Sequence, residues 1–182
     1  AGTATPVIPA FCVSGSTTIN LPGSTAGIGI NYQWQSSADS STWTIISGAT
    51  SNSYTTPTIT VTTFYRAVLH CIYSGLVDSS TAKVTINPLP VISVTPNGGA
   101  ICSSDTGIAL TASGGATYTW LPAAGLSSTT GTTINANPSS TTTYTVTGTD
   151  ANGCVNTHAS TVNVRTAPGT VIITPPSADI YP

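Results

Sequence analysis

The chain has 182 residues, which suits one large domain or two small ones, and it carries 3 basic against 5 acidic residues for a formal net charge of −2. That balance excludes the basic surface with which proteins hold nucleic acid, and no apolar run approaches the ~18 residues that a membrane helix needs. Charged residues make up only 4% of the sequence, yet its many β-branched and aromatic residues set it apart from disordered chains, so Thr, Ser, Asn and Gly must cover a folded surface. Cytosolic monomers normally use charge to stay dispersed; this surface suits a protein outside the cell that associates.

Taken in order, residues 1–11 contain Pro6 and Pro9 and suit an edge strand. Thr17, Ile19 and Leu21 alternate as a second strand. Ile28, Ile30, Tyr32 and Trp34 share one face of a third, with Gly29, Asn31, Gln33 and Gln35 opposite. After a Ser-Ala-Asp-Ser-Ser turn come Trp43–Ile46, then Ser53–Thr60, then a strand in which Tyr65, Ala67, Leu69 and Cys71 share a face. Ala82, Val84 and Ile86 close this half. Asn87-Pro88-Leu89-Pro90 is a short, stiff linker. The second half repeats the scheme: Val91–Val94, then Ile108, Leu110 and Ala112, then Tyr118 and Trp120, Ile134 and Ala136, Tyr144, Val146 and Gly148, and last Val162 and Val164. It is shorter between its Trp and its Tyr and should lack a counterpart of Trp43–Ile46. Short strands about every ten residues, separated by Gly, Pro, Asn and Asp, predict β-sandwiches without helices.

The duplication shows in the order Cys12, Trp34, Tyr65, Cys71 and then Cys102, Trp120, Tyr144, Cys154. Four cysteines allow three pairings. The repeat selects Cys12–Cys71 with Cys102–Cys154, each closing a loop of roughly 50 to 60 residues for about 4 kcal/mol; four free core thiols are the other reading.

Cys, then Trp on a middle strand, then Tyr and Cys on a later one resembles an immunoglobulin-like domain. More narrowly, NYQWQSSADSSTWTIISGATSNSYTTPTITVTTFYRAVLHC, and LTASGGATYTW with TTTYTVTGTDANGC, resemble the immunoglobulin-like repeats of large secreted surface proteins of Bacteroidota bacteria. The resemblance implies an all-β fold of two tandem immunoglobulin-like sandwiches, residues 1–87 and 88–166, each with one disulfide, in an extracellular part of structural or adhesive role. It implies no ligand. In antibody-type domains the Tyr lies two residues before the second Cys, whereas Tyr65 and Tyr144 stand much further ahead of Cys71 and Cys154. The bridges are therefore expected to clasp one end of each sandwich.

Residues 167–182 form an extension. Its VIITPP resembles VISVTP at Val91–Pro96 and looks like the opening strand of a further repeat. Exposed and unpaired, such a strand invites aggregation. It is a cut repeat of a longer array, a strand folded back onto the second domain, or a strand donated to the next subunit of a head-to-tail filament. In the last case Val171, Ile172, Ile173, Ile180 and Tyr181 would make the subunit contact.

Catalytic and ligand-binding motifs are weak. Asp105-Thr106-Gly107 matches an aspartic-protease triplet but occurs once, in a Ser-rich turn. His70 and His158 have outward parity, with no Ser-His-Asp arrangement to serve. The cysteines have no metal-ligand spacing, and Asp150-Ala151-Asn152-Gly153 offers one carboxylate, thin for Ca²⁺. Lys83 should face solvent, which argues against an isopeptide bond. Trp34 and Trp120 read as core; Trp43 reads as core or as a platform on which a sugar stacks. The reading is therefore no enzyme, no cofactor and no metal. The expected role is a structural subunit or segment of an extracellular filament or surface adhesin, whose partners are copies of itself or neighbouring repeats. The alternative is a non-catalytic module that binds glycans or acts as a spacer.

Overall fold

The computed structural model describes residues 2–23 and 29–166. They form fifteen strands and no helix. The first eight are β1 (Thr5–Pro6), β2 (Ala10–Cys12), β3 (Thr18–Asn20), β4 (Ile30–Ser37), β5 (Thr44–Ile45), β6 (Ser53–Thr55), β7 (Thr63–Cys71) and β8 (Val77–Asn87). The remaining seven are β9 (Ser93–Thr95), β10 (Gly99–Cys102), β11 (Ile108–Ser113), β12 (Thr117–Leu121), β13 (Thr133–Ala136), β14 (Thr142–Thr149) and β15 (Val155–Arg165). Among the described residues the chain divides into two compact units: those up to Pro90 together with Ala151–Val155, and Val91–Asp150 with those from Asn156 onward.

The first unit has a three-stranded sheet, β1-β3-β6, and a five-stranded sheet, β2-β8-β7-β4-β5. Period-2 alternation decides which side chains enter the space between them. In β4 Tyr32 and Trp34 are buried, in β7 Tyr65, Ala67 and Leu69, and in β8 Ala82 and Val84; they meet Ile19 of β3 in one cluster. Fully burying an indole removes roughly 150–250 Å² from water, about 4–6 kcal/mol gross at ~25 cal/mol per Å². Trp34 also stacks on Tyr54 with ring centroids 5.9 Å apart, and its Nε1–H donates to the Ser51 carbonyl at 2.9 Å. Burial, and then the nearby Tyr54, push the Tyr65 phenol up to about 12.

The second unit repeats the plan with sheets β13-β11-β9 and β10-β15-β14-β12. Its longer sheet has four strands, and no strand follows β12 in the place that β5 takes after β4. Leu110, Trp120, Tyr144, Val146 and Val162 fill its core, with the Trp120 indole donating to the Gly131 carbonyl at 2.9 Å.

The first residues of each unit behave alike. The N-terminal segment splits into two strands, one at the edge of each sheet: β1 pairs antiparallel with β3, and β2 pairs parallel with β8. Pro6 is tolerated because an edge strand need not donate on both sides. The second unit does the same with β9 and β10, the latter parallel to β15. The expected Ser53–Thr60 strand is shorter, ending at Thr55; Ile59 makes only an isolated bridge to Gly15.

Candidate functional site

The parallel edge strands fix where the cysteines lie. Cys12 ends β2 opposite Asn87, the last residue of β8, and the ladder runs one bond further from the Val13 N–H to the Asn87 carbonyl at 3.0 Å. Cys102 ends β10 opposite Arg165, the last residue of β15, followed by an equal bond from the Ser103 N–H to the Arg165 carbonyl at 3.0 Å. The two positions are equivalent. The other two cysteines lie at the opposite ends of the same long strands. Cys71 ends β7 beside the start of β8, where His70 pairs with Val77, and Cys154 immediately precedes β15.

Each long strand has 11 residues. At ~3.3 Å per residue its ends are roughly 30 Å apart, far beyond the ~7 Å between Cα atoms that a disulfide tolerates. The expected pairs Cys12–Cys71 and Cys102–Cys154 are therefore corrected: neither forms. Cys12 bonds instead to Cys154, with Cα atoms 5.6 Å apart at a sequence separation of 142. Cys71 and Cys102 carry free thiols. The expectation failed on direction. Cys12 and Cys102 both finish short parallel strands that carry them to the end of the sheet away from Cys71 and Cys154.

The two free thiols have different surroundings. Cys71 opens the β7–β8 turn, which is closed by bonds from the Cys71 N–H to the Leu76 carbonyl and from the Gly75 N–H to the Cys71 carbonyl, both 2.9 Å. The turn is apolar and open: Ile72 is 55%, Tyr73 79%, Leu76 72% and Val77 61% exposed. The Ser74 hydroxyl, then the Ser74 and Tyr73 N–H groups, hydrogen-bond the Cys71 sulfur and lower its pKa. Cys154, in the β14–β15 turn and bonded, is fully buried. Cys102 stands in a polar turn: its N–H donates to Asp105 Oδ2 at 2.6 Å, and the Asp105 N–H returns to the Cys102 carbonyl at 3.0 Å.

That turn accounts for the Asp105-Thr106-Gly107 triplet. The carboxylate caps a backbone N–H, and Gly107 has φ +99°, with the Ala136 carbonyl 2.8 Å from where a Cβ would sit. His70 is exposed on β7, and His158 Nε2 lies 3.1 Å from Asn97 Oδ1. Lys83 is exposed, its Nζ 5.8 Å from the centre of the Phe64 ring across the strand pair. Among the described residues, no three of His, Cys, Asp and Glu gather into a metal-binding group. Asp150 is half-buried at the start of the β14–β15 turn. Trp34 and Trp120 are core, as their strand parity predicts. Trp43 is not in the core: it is half-buried, the Arg66 guanidinium lies 4.3 Å over its ring, and Arg66 in turn donates to Gln35 Oε1. Val171, Ile172, Ile173, Ile180 and Tyr181 lie outside the described residues.

One surface feature had only a compositional signal. Hydroxyls on neighbouring strands pair across the exposed sheet faces: Thr18 with Thr55 at 2.9 Å, Thr111 with Thr133 at 3.0 Å, Thr143 with Thr161 at 2.9 Å and Ser93 with Ser113 at 2.8 Å. Such cross-strand pairs stabilise a sheet by roughly 0.2–1 kcal/mol each without any charge.

Residues 1–88 match the family model of a domain of unknown function, DUF8696. No curated protein matches the chain. Among solved structures, the three N-terminal domains of the bacteriophage RB49 Highly Immunogenic Outer Capsid protein match with a TM-score of 0.50 at 12% identity, over 89% of this chain and 58% of that one. Murine CEACAM1b matches with a TM-score of 0.45 at 13% identity, over 90% of this chain and 99% of that one. The N-terminal four Ig domains of Dscam1 isoform 6.9 match with a TM-score of 0.41 at 9% identity, over 91% and 47%. At such identities the likeness is one of fold, and the first of these matches agrees with the all-β, paired-sheet architecture described above.

Proposed function

We propose that the chain is a structural segment of an extracellular assembly, a bacterial filament or surface adhesin, built from two immunoglobulin-like domains in series and associating with copies of itself. The likeness supplies a fold and no activity, so the role rests on surface and covalent structure. The observation that carries the reading is the uncharged surface of paired hydroxyls. The faces that pair Thr18 with Thr55 and Thr143 with Thr161 can pack against a like surface with little ion desolvation. The Cys12–Cys154 disulfide agrees with an oxidising, extracellular compartment. The sequence pattern of Val171–Ile173 adds a strand for donation to a neighbour.

Negative-stain electron microscopy of the full chain beside a version ending at Thr166 tests this. Filaments from the full chain, absent from the truncation, are expected. Dispersed particles from both would refute self-association through the extension.

Trp43 favours a second reading. A half-buried indole beside Arg66 and Gln35 offers a stacking edge and hydrogen-bonding groups to a sugar ring. Retardation of a monomer on polysaccharide affinity gels, lost in Trp43→Ala, would move the function to glycan binding.

A further inference from the structure

We propose that copies of this chain join head to tail through a disulfide between Cys102 of one copy and Cys71 of the next. The inference deepens the self-associating role proposed above and rests on it for an oxidising environment.

The chain contains the pattern for such a bond. Its one disulfide joins a cysteine at the end of a parallel edge strand, Cys12 on β2, to a cysteine in the turn between the last two strands of the following repeat, Cys154. The free thiols are one of each kind. Cys102 holds on β10 the position that Cys12 holds on β2, down to the 3.0 Å bond that continues each ladder. Cys71 lies in the β7–β8 turn, the counterpart of the turn that holds Cys154. Cys102 and Cys71 cannot satisfy each other's equivalents at home, because each repeat keeps its two cysteines at opposite ends of an eleven-residue strand. The two free thiols are thus one unused half of each type. A second copy completes both, in a heterologous contact that propagates.

Burial supports the same occupant. The bonded turn cysteine, Cys154, is fully buried, whereas its free counterpart Cys71 is only half-buried, among Ile72, Tyr73, Leu76 and Val77, which are 55–79% exposed. An apolar collar around a free thiol is what remains when a turn of this type lacks its partner. Hydrogen bonds from Ser74 and Tyr73 favour the thiolate at Cys71, which makes it the attacking sulfur.

The bond forms by thiol–disulfide exchange with a disulfide oxidant, such as glutathione disulfide or an oxidised dithiol protein. The Cys71 thiolate attacks the oxidant, giving a mixed disulfide and releasing one thiol. The Cys102 thiolate of the other copy then attacks the Cys71 sulfur and releases the second. The two thiols lose two protons and two electrons, and the oxidant takes up both electrons and both protons as it leaves as two thiols.

The test is to incubate the full chain with glutathione disulfide and separate the products on a non-reducing gel, with peptide mapping by mass spectrometry. A ladder of oligomers that collapses on reduction, containing a peptide with Cys71 joined to Cys102, is expected. Cys71→Ser and Cys102→Ser should each remain monomeric, while an equal mixture of the two gives a dimer and nothing larger, since each supplies one competent end. Single variants that dimerise alone would overturn the proposal, as would a wild-type chain that stays monomeric with glutathione on both thiols. Filaments of unchanged yield in the double variant, with no cross-linked peptide in the wild type, would overturn the covalent link and leave the filament reading standing. Monomers under every condition would remove both.

Discussion

Replacing Cys12 and Cys154 together by serine should lower stability by up to about 5 kcal/mol. The bond spans 142 residues of sequence, and closing a loop of that length removes denatured-chain entropy worth ~5 kcal/mol at 25 °C. The full figure applies where the chain unfolds in a single transition; where the two compact units unfold separately, each retains part of its stability and the loss divides between two transitions. Guanidinium titration of the wild type, of the double variant Cys12→Ser/Cys154→Ser and of Cys71→Ser/Cys102→Ser measures it. The second double variant should match the wild type within about 0.5 kcal/mol, the range of ordinary surface changes. Equal losses in both double variants would refute the reasoning. That is the outcome of two shorter loops, Cys12–Cys71 and Cys102–Cys154, each worth about 4 kcal/mol.

Trp34→Phe should cost at least ~1–3 kcal/mol, because the Ser51 carbonyl loses its indole donor at 2.9 Å; thermal unfolding followed by circular dichroism checks it. Asp39 sits in the turn after β4, where the Thr42 and Ser41 N–H groups and then the Ser41 and Ser37 side chains hold its carboxylate ionised well below the usual carboxylate range. A depressed folded pKa gives stability that is present above the unfolded value near ~4 and lost as the pH falls toward the folded one. Asp39→Asn should therefore flatten the acid limb of a plot of unfolding midpoint against pH below about pH 4, and an unchanged limb would count against the carboxylate's role. Arg66→Ala uncovers the Trp43 ring and should raise acrylamide quenching of tryptophan fluorescence, since Trp34 and Trp120 are fully buried and respond little.

The strands with long alternation were legible because burial follows period 2. Tyr32 and Trp34, Tyr65, Ala67 and Leu69, and Tyr144 and Val146 all lie in the cores their parity predicts. The absence of a β5 counterpart in the second unit could be read from the shorter stretch between Trp120 and Tyr144. The split of each opening segment into two edge strands could not be read: β2 is three residues and β10 is the short, glycine-led Gly99–Cys102, too brief for a period to show. Their direction escaped with them, and the direction sets the disulfide. A parallel strand ends where its neighbour ends, while an antiparallel one ends where its neighbour begins. Trp43 escaped for another reason: an indole over which a guanidinium stacks has the same sequence signature as one that enters a core.

The separation of the cysteines has a consequence for how such a repeat is stapled. In antibody-type domains a bridge between the two sheets ties one sandwich to itself. Here both cysteines of each repeat lie along the same long sheet, at its two ends, with β8 or β15 as the spacer. No rotamer change closes roughly 30 Å, so the thiols can be used only with a cysteine from outside the repeat. Small domains gain most from a covalent tie, and within either repeat this arrangement provides none. A neutral, hydroxyl-paired surface suits the same end, because a contact held by a disulfide needs compatible faces more than it needs complementary charge.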